Sequence, residues 1–183
     1  MVCTSLYNIV DRIFVGRGVG SLAIAATTVA FPMMVISMAL SMLIGIGATA
    51  LISIRLGEQK KEEAEIVAAN GAGLLVLLPL ILTLIYFTCP DAILKFFGAS
   101  SEVLPLARDF MDIVMLGSVF GSLGMGMNNF IRAEGNPVRA MSTQVMGAIL
   151  NAILNYVFIF HMGLGIKGSA LATVCGQLFA SAW

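Results

Sequence analysis

The sequence predicts an all-α fold, a polytopic bundle of membrane helices, and three observations carry that prediction. Hydrophobic residues make up 59% of the chain and charged residues only 11%, against about 25% charged in soluble domains. The charges collect between long apolar stretches instead of spreading along the chain. Most of those stretches reach or exceed the about 20 apolar residues that cross a bilayer as a helix. Ten basic and ten acidic residues cancel to a formal net charge of zero, which removes the electrostatic case for a nucleic-acid partner. Cys3, Cys89 and Cys175 are scattered without metal-ligand spacing, so neither a zinc site nor a disulfide framework is expected.

The charges divide the chain into six helices. The first is expected over residues 1–17; only ten residues precede Asp11 and Arg12, so it reads as a helix cut short at its start. Gly18 and Gly20 supply a turn. From Gly18 to Ile54 no residue is charged, a run of 37 that is too long for one upright span and too short for two plus a turn. One long, tilted helix over 22–56 satisfies both limits. Pro32 inside it removes a backbone hydrogen bond and marks a hinge.

The stretch RLGEQKKEEAE at 55–65 is the most polar in the chain and belongs in water or among headgroups. It leads into the third helix, over 62–89, with Pro79 inside it. Pro90 to Ser101 is read as a turn, and the serines and glutamate at 100–102 as the cap of the fourth helix, over 102–133. Gly117 and Gly121 form a GxxxG followed by Gly124 and Gly126, which lets a neighbouring helix approach the backbone closely. RAEGNPVR at 132–139 turns the chain into the fifth helix, over 137–162. GLGIKG separates that from a sixth, over 167–183, which reads as cut short at its end. GLGIKG matches GxGxxG literally, but no strand precedes it, so it is no dinucleotide site. The basic residues of the 55–65 and 132–139 turns place both on the cytoplasmic side.

The fifth helix carries the first functional signal. Gln144, Asn151 and Asn155 are spaced seven and then four residues apart, and at about 100° per residue the three amides share one face. Its other faces are apolar, so the amide stripe at bilayer depth points to a site or pathway. Asp11 is an acid within a span, which is costly unless neutralised, paired or wet. Burial disfavours its charged form and a bound cation favours it, so either makes Asp11 a cation switch. Arg12 is its chain neighbour and faces elsewhere on a helix. Asp109 and Asp112 read as a solvated helix start, His161 as an interfacial residue, and a minority of the twelve methionines as cavity lining.

The motifs YNIVDRIFVGRGVG, LGE before a charged turn, IRAEGNP, GAILNAILNYVFIF and GLGIKGSALATV occur in this order along the chain. In this the sequence resembles, over essentially its whole length, the multidrug and toxic compound extrusion (MATE) family. The resemblance implies twelve helices in two six-helix lobes around a central cavity, with this chain similar to the N-terminal lobe and the C-terminal lobe absent. It implies a cation-coupled antiporter of the cell membrane, in bacteria the inner membrane, that exports organic cations and other amphipathic compounds. No enzymatic chemistry is expected.

By the same resemblance, Asp11 matches the family's first-helix acid, Tyr7 the aromatic one turn before it, and Asn128 an asparagine of the fourth helix. Asn151 matches the fifth-helix asparagine and Thr173 a sixth-helix hydroxyl. Asn155 stands where many relatives carry aspartate, which leaves Asp11 as the one titratable member. The expected ion-coupling set is therefore Asp11, Asn128, Asn151, Asn155 and Thr173, with Tyr7 and Gln144 at the substrate cavity. The coupling ion is H⁺ or Na⁺, and a Na⁺ would sit at Asp11, Asn151, Asn155 and Thr173; no other cofactor is implied. Expected partners are small amphipathic or cationic substrates, membrane lipid and the C-terminal lobe. The alternative is a flippase for lipids or lipid-linked precursors of related architecture, which would need a cationic cavity, and only Asp11 and Arg12 are charged near the site. An intramembrane protease would need a second aspartate in a GxGD setting or a serine with a histidine partner, and neither arrangement occurs.

Overall fold

The computed structural model describes residues 13–133 and 135–182, which are helical with short turns and contain no strand. Residues 13–18 end one helix, and the chain turns through Gly20, whose φ of 112° suits glycine. The helices that follow are α1 (Ser21–Gly57), α2 (Lys61–Thr88), a short α3 (Pro90–Phe96), α4 (Leu104–Ala133), α5 (Pro137–Tyr156) and α6 (Gly165–Ala182). A π-helical turn, Val157–His161, extends α5. Among the described residues, four segments are long and apolar enough to cross a membrane: α1, α2, α4, and α5 with its π turn. The sixth helix, which the sequence reads as cut short, is α6, with 18 residues that include Lys167 and Gln177. Its buried face is Gly168, Ser169, Ala170, Ala172, Thr173 and Gly176, a surface built for close packing.

The uncharged run folds as the single 37-residue helix α1, continuous through Pro32. Proline has no amide hydrogen, so the Thr28 carbonyl loses its partner one turn back. The hydroxyls of Thr27 and Thr28 both donate to the Ile24 carbonyl, at 2.9 and 2.8 Å, a bonding pattern that favours bending. Between α1 and α2, Arg55 pairs with Glu58 at 2.9 Å and Glu63 at 3.2 Å, and Lys60 lies 3.3 Å from Glu58. The hydrogen bond from Arg55, aided by Lys60, holds the Glu58 carboxyl below its usual range.

The stretch read as a turn from Pro90 to Ser101 contains α3, with Pro90 in its first turn, where the missing amide hydrogen costs nothing. At the start of α4 the Ser100 carbonyl accepts the amides of Val103 and Leu104 at 3.1 and 2.9 Å.

Packing follows the glycines. A Cβ on Gly117 would run into the Val174 side chain, and one on Gly121 would lie 2.8 Å from Gln177 Oε1, so α6 rests on the backbone of α4. Gly126 in turn admits Leu75 of α2. One apolar cluster, including Val15, Tyr86, Leu94, Phe110, Met111 and Ile166, fills one end of the bundle. A second, with Ala48, Ile52, Leu75 and Phe130, fills the other. Hydroxyls join the helices between them: Ser41 and Ser122 are 2.6 Å apart, and Thr83 donates to the Met115 carbonyl at 3.0 Å.

Asp109 and Asp112 do more than solvate a helix start. Asp112 accepts the hydroxyl of buried Tyr86 at 2.9 Å, Arg108 reaches Asp91 at 3.0 Å, and Lys167 at the start of α6 lies 3.3 Å from Asp109. These contacts fasten α2, α4 and α6 at the end of the bundle opposite the 58–60 turn.

Candidate functional site

Helix α5 buries Ala140, Thr143, Gly147, Asn151 and Asn155, three or four residues apart and therefore on one face. Ile149, Ile153 and Tyr156 lie on the other side, each about half exposed to the surroundings of the bundle. Asn151 sits near the midpoint of the span Pro137–His161, where an uncovered amide would be costly. It is covered by α6, since a Cβ on Gly176 would lie 3.2 Å from both Asn151 Cβ and the Gly147 carbonyl oxygen.

Between α4, α5 and α6 lies a cavity of about 210 Å³, with a polar wall of Asn128, Thr143, Gln144, Asn151, Thr173 and Gln177. The remainder of the lining is glycine, alanine and Met125. Among the described residues, no ionised side chain lines it. Asn151 and Thr173 are 3% and 4% exposed, whereas Gln144 lies at the rim, where its side chain is exposed. Asn128 is buried and donates its amide to the Ala140 carbonyl at 2.6 Å, which ties α4 to the first turn of α5.

Asn155 departs from the expected arrangement. Fully buried, it is not part of the cavity wall; it lies one turn beyond Asn151 and donates its amide to Asn151 Oδ1 at 2.9 Å. The structure thus places Asn128, Gln144, Asn151 and Thr173 around one space. Asp11, Tyr7 and Arg12 lie outside the described residues. Within the described residues, no group of three or more His, Cys, Asp or Glu side chains is placed to hold a metal ion.

Thr143 and Gln177 are the polar cavity residues that sequence reasoning missed, and Gln177 is the more telling. It follows Thr173 by four positions on α6 and so shares its face, a spacing that was available to find it. Two atoms of the wall are left over: Asn151 Nδ2 and Gln177 Oε1 are buried and have no hydrogen-bond partner among the described residues. The described residues of the site offer neutral donors and acceptors around a small space, and among them there is no paired nucleophile and base.

Comparison with known proteins agrees with this architecture. The family model MatE matches residues 1–157. The multidrug export protein MepA of Staphylococcus aureus is 30% identical over 176 residues, which cover 96% of this chain and 39% of MepA. A multidrug resistance MATE family transporter of the MOP superfamily, solved in its outward-facing conformation, is 31% identical with a TM-score of 0.92, covering 100% of this chain and 40% of that one. An inward-facing structure of such a transporter gives 31% identity and a TM-score of 0.91, covering 97% of this chain and 40% of the other. The chain thus spans about two-fifths of the length of these relatives.

Proposed function

The chain belongs to the MatE family of multidrug and toxic compound extrusion proteins, and from that premise we propose that it forms one lobe of a cation-coupled antiporter exporting drugs and organic cations by alternating access. The lobe is a multi-pass membrane body. Its Staphylococcus relatives support placement in a bacterial inner membrane. The single observation that carries the reading is the amide and hydroxyl wall of Asn128, Asn151, Thr173 and Gln177 around a cavity between apolar, membrane-spanning helices, where polar side chains mark transport paths.

In this proposal Asp11 binds the coupling ion from the first helix, and Asn151 and Thr173 complete its surroundings. Asn155 holds Asn151 in place. Pro32 acts as the hinge within α1, and Tyr7 and Gln144 meet the substrate. The closely similar likeness to outward-facing and inward-facing relatives supports a lobe that moves as one body against its partner lobe. One tenfold proton gradient supplies about 1.4 kcal/mol and 100 mV a further ~2.3 kcal/mol per charge, enough for roughly 500-fold accumulation of a neutral substrate per proton. No covalent step is required.

The flippase reading is not favoured, because a lipid phosphate needs basic side chains and none of the described residues lining the cavity is basic. Two lobes are needed to enclose a substrate path. Residues 1–183 expressed alone are therefore expected to insert into membranes without transporting. Drug uptake by vesicles holding only this chain, above an empty-vesicle control, would contradict the two-lobe mechanism.

A further inference from the structure

The two unpartnered atoms of the cavity wall are complementary in kind. Asn151 Nδ2 is a buried donor without an acceptor and Gln177 Oε1 a buried acceptor without a donor among the described residues. They come from facing helices at one level, since Gly176, the chain neighbour of Gln177, packs against Asn151. The Asn151 oxygen accepts Asn155, which fixes which end of the amide remains available. A buried polar group left unpaired is costly, so a ligand that pairs both gains from both. Among the described residues the cavity wall carries no charge that would instead select an ion pair.

We propose that Asn151 and Gln177 recognise the uncharged hydrogen-bonding edge of a substrate, a C=O acceptor together with an N–H donor, as in lactams, imides and cis-amides. The substrate carbonyl accepts from Asn151 Nδ2, and the substrate N–H donates to Gln177 Oε1. This rests on the export reading for its biological meaning, yet it is a statement about binding and is tested as one. A permanent cation with neither C=O nor N–H groups leaves both the Asn151 donor and the Gln177 acceptor unpaired. A cavity of about 210 Å³ is below the usual size for a whole drug, so this pair reads one ring or edge of the substrate.

The test is equilibrium binding to the detergent-purified two-lobe transporter, with 2-quinolone and its N-methyl derivative as the probes. The unmodified protein is expected to bind 2-quinolone about tenfold more tightly, the factor that one unpaired buried acceptor is worth. In Gln177→Met, of similar volume and without the acceptor, that ratio is expected to fall to within about twofold of unity, since both probes then lack a partner at this position. Thermal melting of the variant reports on its fold, and the ratio in the unmodified protein decides the claim even where the variant does not accumulate. Equal affinities for the two probes in the unmodified protein would overturn the inference, as would an undiminished ratio in a well-folded Gln177→Met. Proton-driven export of a permanent cation, tetraphenylphosphonium, is measured in parallel vesicles. Failure of that export with the binding ratio intact would remove the antiport reading and leave the recognition claim standing.

Discussion

Asn155 donates its side-chain amide to the side-chain oxygen of Asn151 at 2.9 Å, one turn apart on α5, with both residues shut off from solvent. The bond orients the Asn151 amide towards the cavity and makes Asn155 a positioning residue. Asn155→Leu keeps the volume and removes the donor, so Asn151 Oδ1 is left buried and unpaired at a cost of about 1–3 kcal/mol. The two-lobe transporter is expected to melt at a lower temperature and to export less. Unchanged melting and export would show that the pair has no such role.

Asn155→Asp places a carboxylate against the Asn151 amide and, in the proposed site, near Asp11. A second negative charge stabilises a bound Na⁺ directly, and two close carboxylates without one share a proton. Export driven by an imposed Na⁺ gradient at fixed pH is expected to rise in this variant. No gain in Na⁺ dependence would place residue 155 outside the ion's reach.

Gly117 meets Val174 so closely that any side chain must displace it. Gly117→Leu is expected to destabilise the lobe by about 1–3 kcal/mol through overpacking. Adding Val174→Ala opens part of that space and is expected to restore part of the loss. Thermal melting of the single and double variants measures both, and an unaffected Gly117→Leu would mean that α6 does not rest on α4.

Polar contacts of the bundle differ in weight with their burial. Tyr86 is buried against Asp112, so Tyr86→Phe is expected to cost about 1–3 kcal/mol. Lys167 and Asp109 are each about half exposed, so Lys167→Ala is expected to cost less than about 1 kcal/mol. Equal losses from both would contradict the difference in burial. Because the folded-state Glu58 carboxyl is held low, its contribution is present above the ordinary carboxylate range and is lost as pH falls through the folded value. A small melting difference between Glu58→Gln and the unmodified protein is expected at neutral pH and should vanish in acid.

Much of this was legible in the residues. The run without charge from Gly18 to Ile54 could only be one long helix, because apolar length alone sets the number of crossings. The stripe of Gln144, Asn151 and Asn155 shared a face because the helical period requires it. What the period did not give is depth: Asn151 reaches the cavity and Asn155 stops behind it, a difference set by how closely α6 packs. Gln177 went unread because Lys167 and the mixed composition of α6 hid its alignment with Thr173. The π turn after Tyr156 and the Lys167–Asp109 contact depend on where distant helices meet, which no local pattern encodes. The seven-residue helix α3 is too short to leave a periodic trace.

The coupling role of Asp11 is the centre of the proposed mechanism, and one transport experiment addresses it. The two-lobe transporter is reconstituted in vesicles, with a proton gradient imposed at constant Na⁺ or a Na⁺ gradient imposed at constant pH, and substrate movement is compared with that of Asp11→Asn. With a single carboxylate amid neutral oxygens, protonation competes well against Na⁺ once burial disfavours the charged form. The proposal predicts that the proton gradient drives export, and that Asp11→Asn abolishes it while melting at an unchanged temperature. Undiminished export by Asp11→Asn, or strong Na⁺-driven export by the unmodified protein with no response to the proton gradient, would contradict it.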